Sequence, residues 1–163
     1  MKFDLYGNKI LDASDFSKKI MKHFNDQQEI RIYHSFGTKS GHENDCSTIF
    51  PRSAIYCIYK NGKPIYVGLS RNSTHNRIGR FVQGALNKET KNTKHPGGRR
   101  YRIEYGDDLR GLSVKYFDMT KINLPEYISM EEIELDLIRK LKPKLNIQIR
   151  NFAHIEQCSL EAL

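Results

Sequence analysis

The chain has 163 residues, 38% of them hydrophobic and 28% charged, with 27 basic and 19 acidic side chains for a formal net charge of +8. That is enough for one core of ordinary size, and it excludes a disordered chain and a second full domain. No apolar run approaches bilayer length, and the polar N-terminus does not resemble a signal peptide, so no membrane partner is expected. Three widely spaced cysteines, Cys46, Cys57 and Cys158, form neither a disulfide framework nor a zinc pattern, which points to a reducing cytoplasm.

In chain order, residues 14–25 read as a helix capped by Ser14, with Phe16, Ile20 and Phe24 on one face. Residues 29–33 alternate like a strand, and 35–48 read as a loop broken by Gly37 and Gly41. His42, Asp45 and Cys46 fall in that loop without metal-ligand spacing. Strands follow at 53–59 and 64–68, then a helix at about 73–87, a strand over Leu112 to Phe117, and a helix at about 130–142.

The stretch AIYCIYKNGKPIYVGLS, residues 54–70, is a hairpin with a tyrosine in each arm. A two-residue type I′ turn at Asn61-Gly62 would pair Tyr56 with Val67 and put the phenols on opposite faces. A three-residue loop, Lys60-Asn61-Gly62, pairs Tyr56 with Tyr66 and lets the two converge. The second arrangement is the one expected.

Residues 88–104, KETKNTKHPGGRRYRIE, hold six Lys or Arg against two Glu, half the chain's excess charge in about a tenth of its length. Short polar groups between the cations could hydrogen-bond phosphate oxygens. A solvated loop is the competing explanation.

The segment SMEEIELDLIRKLKPKLN, residues 129–146, carries the most information. Ser129 and Glu132 make a capping box, and Pro143 stops the helix. Ile133, Leu137, Met130, Leu141 and Ile138 fall on an arc of roughly 140°. Glu134 lies inside that arc, whereas Asp136, Arg139 and Lys140 lie outside it. An inward carboxylate is costly unless paired or metal-bound. A buried Glu–Arg pair without chemistry is one reading; a metal ligand at the edge of the core is the other. On the preceding helix Arg77 borders the stripe of Ile78, Phe81, Val82, Ala85 and Leu86, while Arg80 points away from it. Two tyrosines, a guanidinium and an inward carboxylate suit phosphate chemistry, where Arg and a hard cation hold an oxygen-rich anion.

These residues resemble the GIY-YIG nuclease superfamily: Ala54-Ile55-Tyr56, Tyr66-Val67-Gly68, Arg77 on the following helix, and Glu134 followed by Pro143 and Asn146. The match covers roughly residues 51–150. Ala54 stands for the first glycine, one extra residue separates Gly68 from Arg77, and Phe81 stands where the family usually has His or Tyr. The resemblance implies a mixed α/β (α+β) fold: a small, mostly antiparallel sheet of about three strands flanked by helices, elaborated by a helix and strand in residues 1–50. Residues 51–150 would be the nuclease core with a basic insertion at 88–110, and 151–163 a tail, all in one structural domain. It further implies phosphodiester hydrolysis dependent on Mg²⁺ or Mn²⁺. Glu134 would bind the metal, Arg77 would stabilise charge on phosphorus, Tyr56 would be the leading general base, Tyr66 would orient water or phosphate, and Asn146 would brace the site.

A chain ending at Leu163 leaves no room for a separate recognition domain, so its plan is closest to the compact restriction endonucleases of the superfamily. Double-stranded DNA is the expected partner, with Arg71, Lys91, Lys94, His95, Arg99, Arg100 and Arg102 as contacts. Two copies, as a homodimer or higher homo-oligomer, would cut opposite strands. The alternatives are a less specific phage or repair endonuclease, a catalytically inactive DNA-binding relative, and a small RNA-directed nuclease.

Overall fold

The computed structural model describes residues 2, 3, 9–33, 50–91 and 94–146. Lys2–Phe3 (β1) and Lys9–Ile10 (β2) pair as a short antiparallel ladder ahead of helix α1, Ala13–Asp26. The cap of α1 is Asp12 rather than Ser14: Asp12 and Asp15 accept from each other's backbone N–H in a reciprocal box. A carboxylate at this position satisfies an orphan donor and also favours the positive end of the helix.

The main sheet is antiparallel, in the order β3-β6-β4-β5, from Ile30–Arg31 (β3), Ala54–Lys60 (β4), Lys63–Ser70 (β5) and Leu112–Asp118 (β6). The fold is thus mixed α/β as expected, with four strands in the sheet rather than three. Helices Thr74–Ala85 (α2), Pro96–Tyr105 (α3) and Met130–Leu141 (α4) complete it. Among the described residues, no helix is long and apolar enough to cross a membrane. The loop holding His42, Asp45 and Cys46, and the tail from 147 onward, lie outside the described residues.

Strand β4 is buried on both faces, and its alternation divides the core into two halves. Tyr56 and Ile58 face Ile78, Phe81 and Val82 of α2 and Tyr101 of α3. Ile55, Cys57 and Tyr59 face Phe16, Ile20 and Phe24 of α1 and Ile133, Leu137 and Ile138 of α4. The sheet is therefore sandwiched between two helix pairs, and β5 is its edge strand on the side where the candidate residues gather.

The hairpin register differs from the expected one. Lys60 pairs with Lys63 across a two-residue turn whose Asn61 and Gly62 both have positive φ, 50° and 74°. The ladder then slips by one residue, because Tyr59 pairs with Pro64 but Ile58 pairs with Tyr66, leaving Ile65 as a bulge. Proline has no N–H for the ladder, which makes its neighbour a natural place for the irregularity. Tyr56 consequently faces Gly68, with Tyr66 diagonal to it on the same face. Convergence of the phenols holds; direct pairing does not.

The other correction is α3. The basic stretch, for which a solvated loop was the competing explanation, folds from Pro96 to Tyr105 into a ten-residue helix against α2. Its apolar signal is slight, since Gly97, Gly98 and Tyr101 are its buried residues and Ile103 is 83% exposed. Packing stabilises it instead: a Cβ on Gly98 would sit 2.3 Å from the Phe81 carbonyl oxygen and 3.0 Å from the Gly84 Cα. Two glycines let the helix backbones touch. At the far end, Lys60 Nζ donates to the Tyr101 hydroxyl and to the Asp108 and Arg110 carbonyls, tying α3 to the hairpin.

Candidate active site

Gly68 shows why the second tyrosine motif ends in glycine. A Cβ there would lie 2.5 Å from both Cζ and the hydroxyl of Tyr56, and 2.9 Å from Cε1 of Tyr66. The Tyr56 phenol lies across the glycine, and the two rings sit with centroids 6.3 Å apart. Gly68→Ala is expected to destabilise the fold by about 1–3 kcal/mol, since overpacking moves a buried ring. Urea denaturation measures it, and a wild-type midpoint would show that the ring has room to retreat.

The two phenols differ in exposure. Tyr56 is 0% exposed, its hydroxyl has no hydrogen-bond partner among the described residues, and burial pushes its pKa well above the ordinary tyrosine value. Tyr66 is half-buried and lines a cleft with Arg77 and Glu134. Its pKa is raised by burial first, with the Arg77 guanidinium the leading influence in the other direction. Tyr56, expected to lead as general base, is thus the sealed phenol, and Tyr66 is the one on the cleft.

Two clefts meet at the site. One, about 500 Å³, is lined by residues that include Arg71, Asn76, Arg77, Arg80, Glu131 and Glu134. The other, about 190 Å³, is lined by residues that include Tyr66, Arg77, Gly97, Arg100, Glu134 and Asn146. Arg77 and Glu134 border both. Ser73 caps α2 by accepting from Asn76, which sets the helix that carries Arg77. The capping box of Ser129 and Glu132 likewise sets α4 and Glu134, and Lys142 ends α4 in the left-handed conformation just before Pro143.

The Leu69 backbone N–H favours the charged form of Glu134. Among the described residues it forms no ion pair, which sets aside the buried Glu–Arg pair. Burial raises its pKa to about 7, with Arg77 pulling down and Glu131 pushing up. Asn146 acts as a one-residue strand on the open edge of β5: its Oδ1 accepts from Val67 N–H and its Nδ2 donates to the Val67 carbonyl, both at 2.9 Å. The Leu145 N–H bonds to the Ile65 carbonyl at the same length. Asn146 thus braces the strand carrying Tyr66.

No family model, curated protein or solved structure matches this chain.

A hard divalent cation can be held by one or two carboxylates while keeping much of its water. The donor set fits that case. Glu134 is an unpaired, part-buried carboxylate on an open cleft, and among the described residues no cluster of three or more His, Cys, Asp or Glu could form a closed cage.

The expected DNA contacts divide. Arg71 lies at the mouth of the larger cleft, ion-paired with Glu131, and Lys91 and Lys94 are exposed. Arg100 reaches the smaller cleft while donating to the Leu145 carbonyl at 2.8 Å. Arg99 pairs with Glu89, and Arg102 donates to Asn87 and to the Gly84 carbonyl near the end of α2. His95 is 0% exposed and caps α3, so it is not a surface contact; the glycines after it serve helix packing rather than approach to DNA. Arg80 and Asn76 on the wall of the larger cleft escaped the sequence reading. Arg80 points away from the core, as its place on the helix dictated, and that direction is the cleft.

Proposed function

We propose that the chain is a divalent-metal-dependent endonuclease that hydrolyses phosphodiester bonds in DNA. The observation that carries this reading is the meeting of two clefts at Arg77 and Glu134, with Tyr66 and Asn146 on the same wall. Glu134 would hold Mg²⁺ or Mn²⁺, and the ion, when bound, would supply charge that stabilises the phosphoryl oxygens. Arg77 binds and neutralises the phosphate from the other side, its planar fork matching two oxygens. Tyr66 orients the attacking water from the smaller cleft. Asn146 keeps β5, and with it Tyr66, in register.

The larger cleft suits a strand leading to the scissile phosphate, with Arg71, Arg80 and Asn76 along it. A restriction-like, sequence-specific enzyme acting as two copies is the first reading, because Arg71 stands exposed on the larger cleft and Lys91 and Lys94 are exposed cations. A less specific repair-type or phage-type enzyme gains from the folding of 96–105 into a packed helix, which removes the glycine-rich loop from base reading. Incubation of supercoiled plasmid with Mg²⁺, followed by sequencing of the ends, tests both. Chelator-sensitive cutting at a consensus supports the first, and scattered ends support the second. Absence of cutting in Mg²⁺ and Mn²⁺ refutes the nuclease reading.

A further inference from the structure

His95 is an interior polar group for which the site described above has no use. It is 0% exposed, and its position is fixed at several points. Its backbone N–H donates to Glu89 Oε1 at 2.8 Å, and its Nδ1 accepts from the Gly98 N–H at 3.3 Å. An Nδ1 that accepts is unprotonated, so in the neutral ring the hydrogen is on Nε2. Nε2 is buried and has no hydrogen-bond partner among the described residues. The ring stands edge-on to Tyr66, centroids 5.4 Å apart, and edge-on to Phe81 at 5.6 Å. Phe81, one turn beyond Arg77, brings no polar atom to this corner.

A buried donor left unpaired costs about 1–3 kcal/mol, and such groups call for an explanation. We propose that His95 is a positioning residue that acts through Tyr66: it caps α3 with one nitrogen and, with the N–H of the other, favours negative charge on the neighbouring phenol. The inference rests on the nuclease reading, in which Tyr66 orients water. A neutral ring is needed for it. Burial lowers the His95 pKa to about 3, helped by Arg77 and Arg80 and opposed by Glu89, so no imidazolium forms at neutral pH. The partners around Tyr66 hold it in place: a Cβ on Gly97 would meet its ring at 2.7 Å, and Tyr56 and Phe81 pack against it at 6.3 and 5.6 Å between centroids.

The two nitrogens can be separated by substitution. In His95→Asn the side-chain oxygen can still cap Gly98, but nothing takes the place of Nε2. In His95→Gln the amide nitrogen reaches toward the Nε2 position, and the cap is lost. Plasmid cleavage by the full chain in Mg²⁺ is expected to show roughly a tenfold fall in kcat at unchanged KM for His95→Asn. His95→Gln should recover much of that loss despite its lower melting temperature. A role confined to capping gives the reverse order, and His95→Asn turning over like wild type overturns the proposal. An inactive wild type instead sinks the nuclease reading and this inference with it. Nitrogen-15 spectra of the wild-type imidazole add a test independent of activity and of variant folding. The proposal requires the neutral Nε2–H tautomer throughout pH 5–8, and an Nδ1–H tautomer or an imidazolium in that range refutes it.

Discussion

Replacing Glu134 with glutamine is expected to abolish cleavage and, in metal-free protein above pH 7, to stabilise the fold. The two effects share one cause. The carboxyl is partly buried without a cation within ion-pair distance among the described residues, so burial raises its pKa from 4.5 to about 7. Between those values the native state keeps a proton that the unfolded chain has released. Stability from this group therefore falls as pH rises through that window, and the full penalty applies above pH 7. Glutamine carries no charge to desolvate. Urea unfolding at pH 8 in chelator should show the variant more stable by about 1–3 kcal/mol, with the gap closing below pH 4.5. The same proton competes with a metal, so Mg²⁺ affinity of the wild type should rise through pH 7. A variant less stable than wild type at pH 8 would mean that the carboxylate is paired, and a variant that still cuts DNA would remove Glu134 from the site.

Glu134 was legible in the sequence because a twelve-residue amphipathic helix gives each position a definite angle, and a carboxylate within the apolar arc stands out. The long strands and α2 were legible for a related reason: strong period and clear punctuation. The hairpin was legible only as a choice between turns. Asn61-Gly62 favours the type I′ turn that forms, but a bulge beside Pro64 then undoes the consequence of that turn, and the phenols share a face by a route that neither simple turn offers.

Helix α3 was not legible, since its determinants are tertiary. Glycines at 97 and 98 argue against a helix interior on propensity, by about 1 kcal/mol each relative to alanine. The contact with Gly84 and the fit of Gly97 against Tyr66 outweigh that preference, and neither can be read from local sequence. The cap is equally unusual: a histidine ring nitrogen stands where Ser, Thr, Asp or Asn is the ordinary signal. With no local signal for α3, His95 reads as a surface contact, although Pro at the first helical position is the available hint. Arg102 on the same helix donates to Asn87 and the Gly84 carbonyl, contacts that local sequence does not announce.

Arg77→Ala is expected to lower the cleavage rate by on the order of 10² to 10³ while leaving DNA binding largely intact. The guanidinium borders both clefts, where it can meet an incoming anion, and its buried Nε has no hydrogen-bond partner among the described residues. Its charge is also the leading influence that lowers the Tyr66 pKa, so alanine removes a phosphate ligand and makes the phenol more reluctant at once. Arg77→Lys should restore little, because an ammonium supplies charge without the planar fork. Binding should survive because Arg71, Arg80, Lys91 and Lys94 are untouched and exposed. Single-turnover cleavage set beside a mobility-shift titration separates the two effects. Arg80→Ala provides the contrast: as a cleft-wall cation it should weaken binding, reduce the slope of log affinity against log salt by about one, and leave the single-turnover rate of bound DNA near wild type. If Arg80→Ala stops the chemistry and Arg77→Ala only loosens binding, the scissile phosphate lies further along the larger cleft, away from Glu134.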